Sequence, residues 1–328
     1  MGTRGYVLKK TVQAGLTLFA VVVFNFFLFR VLPADPIDLL TRGQGLRLSA
    51  ADKVALRHEY GLDRPVFPDQ LIIYVEQTFQ GNLGTSIILD EGRKVTSLFA
   101  EFAVPTLVLV GISTILSTIF GILMGIYGGW RRGGKFDMFA MGFSLILYAM
   151  PEFWLGMLLI LLFSTTLGWF PSSGRGTVGV DYTGIGHLTD MLNHLFLPCL
   201  TLTLAYLGEY YLIMRSSLLD VLGEDYITTA RAKGVREKWV LRRHAVRNAL
   251  LPTITLIALS FGFVLGGAIT VEFVFGYKGL GGLTYEALRS QDLPVLQGIF
   301  LIASAAVIFA NLISDLVYGY FDPRVRKA

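Results

Sequence analysis

The sequence predicts an all-α integral membrane protein with six transmembrane helices and both termini in the cytoplasm. Three observations carry this expectation. Of the 328 residues, 53% are hydrophobic and only 16% charged, against about 25% charged in a soluble domain. The chain therefore lacks the polar surface to cover a soluble core of its size. Six apolar runs approach the roughly 20 residues that a helix needs to cross a bilayer. The basic residues concentrate in alternate connecting segments, as they do in cytoplasmic loops.

The runs lie at about 11–32, 104–130, 138–163, 195–214, 250–274 and 295–317. The first follows Arg4, Lys9 and Lys10, as a signal peptide's core would. It is too long for such a core, however, and Pro33-Ala34-Asp35-Pro36 offers no A-x-A cleavage site, so it reads as an uncleaved span. The third run is interrupted by Pro151 and Glu152. That leaves open one long kinked helix or a helix followed by a shorter interfacial piece.

Orientation follows from charge. The N-terminal tail carries three basic residues, the segment 131–137 three, the segment 215–249 eight and the C-terminal tail three. Between them, 164–194 has Arg175 alone and 275–294 has Lys278 and Arg289. The chain thus divides into a tail and first helix (1–32), an extracytoplasmic loop or subdomain (33–103), a core of five helices (104–317) and a cytoplasmic tail (318–328). The core contains a large cytoplasmic loop at 215–251. The formal net charge of +4 is accounted for by inside-facing loops and needs no nucleic-acid partner.

Several function classes drop out. A single cysteine, Cys199, excludes an internal disulfide and a multi-cysteine metal site. The four histidines are scattered, with no pair at helical metal-binding spacing, so no metal site is expected. Gly129, Gly134 and Lys135 have the spacing of a phosphate-binding loop. Phe136 stands where that loop needs Ser or Thr, and a membrane helix precedes it in place of a strand. This chain is therefore not expected to bind ATP. Two small-residue spacings, Gly121 with Gly125 and Gly262 with Gly266, suit close helix contacts. They mark either a subunit contact or packing within the chain.

The most informative segment is the large cytoplasmic loop. Two short helical stretches flank Gly234, which suits a C-terminal cap and turn. The first opens on Glu224 and Asp225; the second is basic, with Trp239, Val240 and Leu241 interleaved. Such an element lies on a membrane surface or docks into a partner's groove. If Gly234 is left-handed, a side chain there is strained, and a bulky one is also expected to push the two stretches apart.

This loop resembles the EAA loop of bacterial ABC-importer permeases, in the variant of the dipeptide/oligopeptide (and nickel) branch. Tyr226, Thr229, Ala230, Arg231, Ala232, Lys233 and Gly234 match the variant, as does Leu251-Pro252 at its end. Thr228 and Thr229 stand where the broader pattern has Glu and Ala. Further motifs follow in order along the chain: Pro33 to Pro36, Gly61-Leu62-Asp63, Gly81 to Ser86, and Pro151 to Gly156. Glu272 to Phe275, Gly279 to Gly281, Asn311 to Asp315 and Asp322-Pro323-Arg324 complete the set, all similar to the OppB/DppB type. Lys278 departs from the proline common there.

The resemblance implies a type I ABC-importer permease in a bacterial or archaeal plasma membrane, a transport subunit without enzymatic activity of its own. It implies a second homologous permease, two ATPase subunits that hold ATP and magnesium, and an extracytoplasmic solute-binding protein. No cofactor is implied in this chain. Glu224, Tyr226, Thr229, Ala230, Arg231, Ala232, Lys233, Gly234 and Val235 become the expected contact with an ATPase. The implied solute is a di- or oligopeptide, with oligosaccharides or nickel as alternatives in the same architecture. A secondary transporter would call for inverted repeats and broken helices, and neither is legible in the sequence. Among intramembrane acids, Glu152, Glu209 and Glu272 are candidates for the translocation pathway, because charge in lipid usually faces a cavity or a partner. Glu272 also belongs to a motif, which favours a structural role, and Asp315 lies where a nearby Lys or Arg can pair with it.

Overall fold

In the computed structural model the described residues are 3–31, 49, 51, 54, 64–180, 184–264 and 268–321. The motifs at 33–36, 61–63 and 322–324, and Gly266, lie outside them. Among the described residues the regular structure is helical, with one isolated antiparallel bridge between Thr85 and Lys94.

Eleven helices organise the description: α1 Thr3–Phe26, α2 Leu71–Phe79, α3 Val95–Trp130 and α4 Lys135–Ala149. Next come α5 Glu152–Leu159, α6 Ile185–Leu222 and the short α7 Asp225–Ala232. The chain closes with α8 Val246–Phe263, α9 Ile269–Val274, α10 Leu280–Ser290 and α11 Leu293–Phe321. Four of the described helical segments are long and apolar enough to span a membrane: Gly5–Val31, Val95–Trp130, Ile185–Leu222 and Leu293–Leu316. A fifth span results if Lys135–Ala149 and Glu152–Thr166, bent by 106°, are taken together. The expected run at 250–274 is divided between α8 and α9, so the described helices supply four or five spans by this measure against the six expected.

The bend has a local cause. Pro151 has no amide hydrogen and disfavours helical geometry in the residue before it. Met150 is accordingly extended (φ −87°, ψ 127°), and Pro151 caps the next helix at φ −59°, ψ 134°. The 15 residues of α4 rise at most about 22 Å. That is short of the roughly 30 Å hydrocarbon layer, so α4 alone does not cross it.

The core of the bundle is the seam between α3 and α6. A Cβ on Gly121 would collide with Cβ of Tyr210, and one on Gly125 would lie 2.7 Å from Cβ of Met214. Gly129 continues the seam, where a Cβ would come within 3.0 Å of Leu218. The Gly121–Gly125 spacing is thus spent on packing inside this chain. α3 also begins at Val95, earlier than the apolar run that predicted it, because its first turns are helical but carry polar residues such as Glu101.

The first and last helices pair at one pole. Tyr6 donates to the carbonyl of Asp315 at 3.0 Å, and Lys10 Nζ lies 2.9 Å from Asp315 Oδ2. This is the Lys partner expected for Asp315, and it places the starts of α1 and the end of α11 on the same side. At the opposite pole, Asp292 is fully buried. Its Oδ2 accepts from the Ser86 hydroxyl at 2.6 Å and from the amides of Ile87, Ile88 and Leu89 at 3.0–3.1 Å. The serine of the Gly81–Ser86 motif thereby ties the described part of the segment 33–103 to the start of α11.

Candidate functional site: a capped short helix and a broken span

The short helix α7 sits against the end of α6. Its inward residues, Ile227 and Ala230, are buried in an apolar cluster with Met214 and Leu218 of α6 and with Val240, Ala245 and Ala249 on the returning chain. The remaining positions, Asp225, Tyr226, Thr228, Thr229, Arg231, Ala232 and Lys233, are exposed. One face of a two-turn helix is anchored and the other is presented outward.

The end of α7 is closed by a Schellman motif. The Val235 amide donates to the Ala230 carbonyl at 3.2 Å and the Gly234 amide to that of Arg231 at 2.9 Å. Gly234 occupies the left-handed position at φ 72°, a conformation unfavourable for residues with a Cβ. Val235 packs back on the same cluster as Ala230, the apolar contact that accompanies such caps. The steric half of the sequence expectation needs correction. Nothing lies within 4 Å of a Cβ built on Gly234, so within this chain the demand for glycine is one of backbone conformation.

Three further contacts brace the segment. Arg231 Nε bonds Glu237 across the turn at 3.1 Å, an exposed pair that contributes little by itself. Asn248 Nδ2 donates to the Tyr226 hydroxyl at 2.8 Å, tying α7 to the start of α8. The Arg243 guanidinium stacks over Trp239, 4.6 Å from the ring centre. The side chain of Glu224, at the N-cap, makes no capping hydrogen bond.

The intramembrane acids separate into two kinds. Glu272 is 1% exposed. Its Oε1 accepts from Thr106 at 2.8 Å and its Oε2 from the Gly282 amide at 3.0 Å, while Thr106 accepts from the Leu280 amide at 2.7 Å. Both carboxylate oxygens are engaged in holding the α9–α10 turn onto α3, so Glu272 serves as an anchor and has no face turned to a solute. Glu152 and Glu209 are half-buried. Among the described residues neither has a hydrogen-bond or ion-pair partner, and both lie within electrostatic reach of Tyr206. Glu152 opens α5 immediately after the break. Interrupted helix at membrane depth is tolerated where it is buried in protein or lines a watered cavity.

One cluster escaped the sequence reading. Asp137, in the first turn of α4, is 2% exposed. It accepts two bonds from Arg215 (Nη2 to Oδ2 2.8 Å), one from the Tyr211 hydroxyl (3.1 Å) and one from the Gly133 amide (2.9 Å). The available signal was an acid standing alone in an otherwise basic turn.

The family model for the inner membrane component of binding-protein-dependent transport systems matches residues 117–327. Among full-length relatives, the oligopeptide transport system permease protein AppB of Bacillus subtilis is 35% identical over 320 residues, covering 98% of both chains. The di/tripeptide transport system permease protein DppB of Pseudomonas aeruginosa is 36% identical, covering 94% of this chain and 95% of the relative. The glutathione transport system permease protein GsiC of Escherichia coli is 37% identical, covering 98% of each. Among solved structures, an inward-facing MetNI methionine ABC transporter chain aligns with a TM-score of 0.55 at 16% identity, over 69% of this chain and 97% of that one, a likeness of fold. The broken span therefore does not point to a secondary transporter. With its helical membrane core and matches running almost end to end, the chain belongs to the family of binding-protein-dependent transport system inner membrane components, as a multi-pass permease of the ABC-importer kind.

Proposed function

We propose that this permease forms half of the translocation pathway of a peptide importer, beside a second homologous permease, and is driven by two ATPase subunits that bind ATP and magnesium. An extracytoplasmic binding protein delivers the solute. The peptide assignment is supported by the relatives, whose names specify oligopeptides, di/tripeptides and glutathione. The coupling role of the segment from Glu224 to Val235 is supported above all by one observation: α7 is capped, anchored on α6 through Ile227 and Ala230, and exposed on its other face. A rigid helix seated in a partner's groove transmits a displacement that a flexible loop would absorb. Glu152 and Glu209 are two half-buried carboxylates that lack a hydrogen-bond partner among the described residues. They suit the ammonium group of a peptide, which could supply the missing counter-charge as it passes.

The test is a cysteine at Ala232, on the exposed face, in a complex of all subunits; the native Cys199 is buried. The cysteine is expected to crosslink to an ATPase subunit and not to the binding protein. Absence of any cytoplasmic crosslink, with the complex assembled, would remove the coupling assignment. Solute retention by the cognate binding protein decides the peptide assignment separately.

A further inference from the structure

We infer that Asp137 and Arg215 are positioning residues that make α4 move with the coupling segment, so that a displacement received at α7 reaches the helix break at Glu152. The inference rests on the coupling role proposed for α7 and adds the route by which its motion enters the membrane.

The route has three joints. The first is apolar: Ile227 and Ala230 of α7 are buried against Met214 and Leu218 of α6. The second is the polar pin. Arg215 lies on α6 between Met214 and Leu218, and its guanidinium holds the Asp137 carboxylate through two nitrogens. A bidentate arginine–carboxylate pair fixes orientation as well as distance. Tyr211 and the Gly133 amide fill the remaining acceptor positions of Asp137. On the α3 side the backbone closes over it, since a Cβ on Gly128 would come within 2.9 Å of the Tyr211 hydroxyl and 3.2 Å of Asp137 Oδ1. The third joint is a close contact further out on the same two helices. A Cβ on Gly208 of α6 would lie 2.6 Å from the Ser144 carbonyl of α4 and 3.4 Å from Cβ of Tyr148. Only Met150 and Pro151 then separate the end of α4 from Glu152.

With α4 held to α6 at both its cytoplasmic start and its inner end, it is a strut. Asp137 is buried and Arg215 partly so, and an ion pair removed from water is an uneconomical way to gain stability, because apolar residues of similar volume often serve as well or better. What it adds is a single register and orientation between two helices. An apolar replacement would leave the helices packed and free to slip. That difference separates positioning from mere cohesion.

The experiment uses the assembled transporter with its binding protein, in a Cys199→Ser background, with Glu152→Cys as the reporter beside the break. Reactivity of that cysteine towards a maleimide is compared between the nucleotide-free and the vanadate-trapped complex. With the native pair, the two rates are expected to differ by at least threefold. In Asp137→Leu/Arg215→Met, and to a lesser degree in Asp137→Asn and Arg215→Lys, the ratio should fall towards one while vanadate trapping persists. Any of these variants that assembles, traps vanadate and keeps the native ratio overturns the inference, as does a native ratio of one. If none of the three assembles, the pair is a folding element and the inference also falls. The Ala232→Cys crosslink, run alongside in the native-pair background, reports on the coupling role itself, so its failure is recognised separately.

Discussion

Replacing Gly234 probes the coupling segment at the point where its geometry is most constrained. The residue sits at φ 72° with open space around a Cβ, so substitution acts through backbone conformation and not through collision. Holding an L-residue left-handed costs about 1–2 kcal/mol, more for a β-branched side chain, for which this region is a genuine outlier. Asparagine visits the region most readily among the other residues. At about 1.4 kcal/mol per factor of ten, a 2 kcal/mol strain on Gly234→Val shifts the capped-to-uncapped ratio of α7 roughly 30-fold. Uncapping releases the Val235–Ala230 and Gly234–Arg231 bonds and frees Val235 from the cluster beneath. Binding-protein-stimulated ATP hydrolysis and solute uptake are expected to fall in the order Gly, Asn, Ala, Val, with membrane insertion unchanged on immunoblots. The informative comparison is Asn against Ala. Asn is larger, yet should retain more coupling. Activity that instead declines with side-chain volume, Ala above Asn, would refute the conformational argument and assign the glycine to close contact with a partner.

Four other outcomes follow from the same geometry. Gly125→Leu should leave little assembled protein, since even its Cβ would meet Met214 at 2.7 Å and overpacking of a tight core costs about 1–3 kcal/mol; Gly111→Ala, with nothing within 4 Å, serves as the control in a detergent thermal-stability assay. Thr106→Val leaves the buried Glu272 Oε1 and the Leu280 amide without their shared partner, and should lower stability by about 1–3 kcal/mol, measured as a reduced melting temperature with topology intact. Glu209→Gln should reduce uptake of cationic peptides more than neutral ones at normal assembly, while equal losses with poor assembly would make Glu209 structural. For orientation, a cysteine at Lys238 should be shielded from an impermeant external thiol reagent and one at Glu91 should react, and the reverse pattern would invert the topology.

What sequence alone revealed tracks the range of the interactions involved. The short helix ending at Gly234 was legible because its signals are local: acidic residues at its start, a glycine at the cap and a basic stretch beyond it. The pairing of Asp315 followed from its place near a cytoplasmic boundary. Pro151 marked the place and the local cause of the interruption in the third run, but not the size of the bend, 106°. The same holds for Gly121 and Gly125, whose spacing announces a close approach without naming the approaching helix. Asp137 with Arg215, and Asp292 with Ser86, join residues 78 and 206 positions apart. Periodicity carries no trace of such pairings. The beginning of α3 was placed too late because its first turns mix polar residues such as Glu101 with Val95 and Leu98, which pack on α10 and α11. Glu272 was weighed as a pathway residue with a motif that favours a structural role, and its buried partners show what it holds.

The burial of Asp292 has a consequence for the order in which the protein is completed. Three successive amides and a hydroxyl at 86–89 have their acceptor on a residue synthesised about two hundred positions later. Until the hairpin leading into the last helix has been threaded, those donors have only water to satisfy them and the outer pole stays open. Its closure is then a check on completeness: a chain truncated before residue 292 lacks the single acceptor that all four donors share.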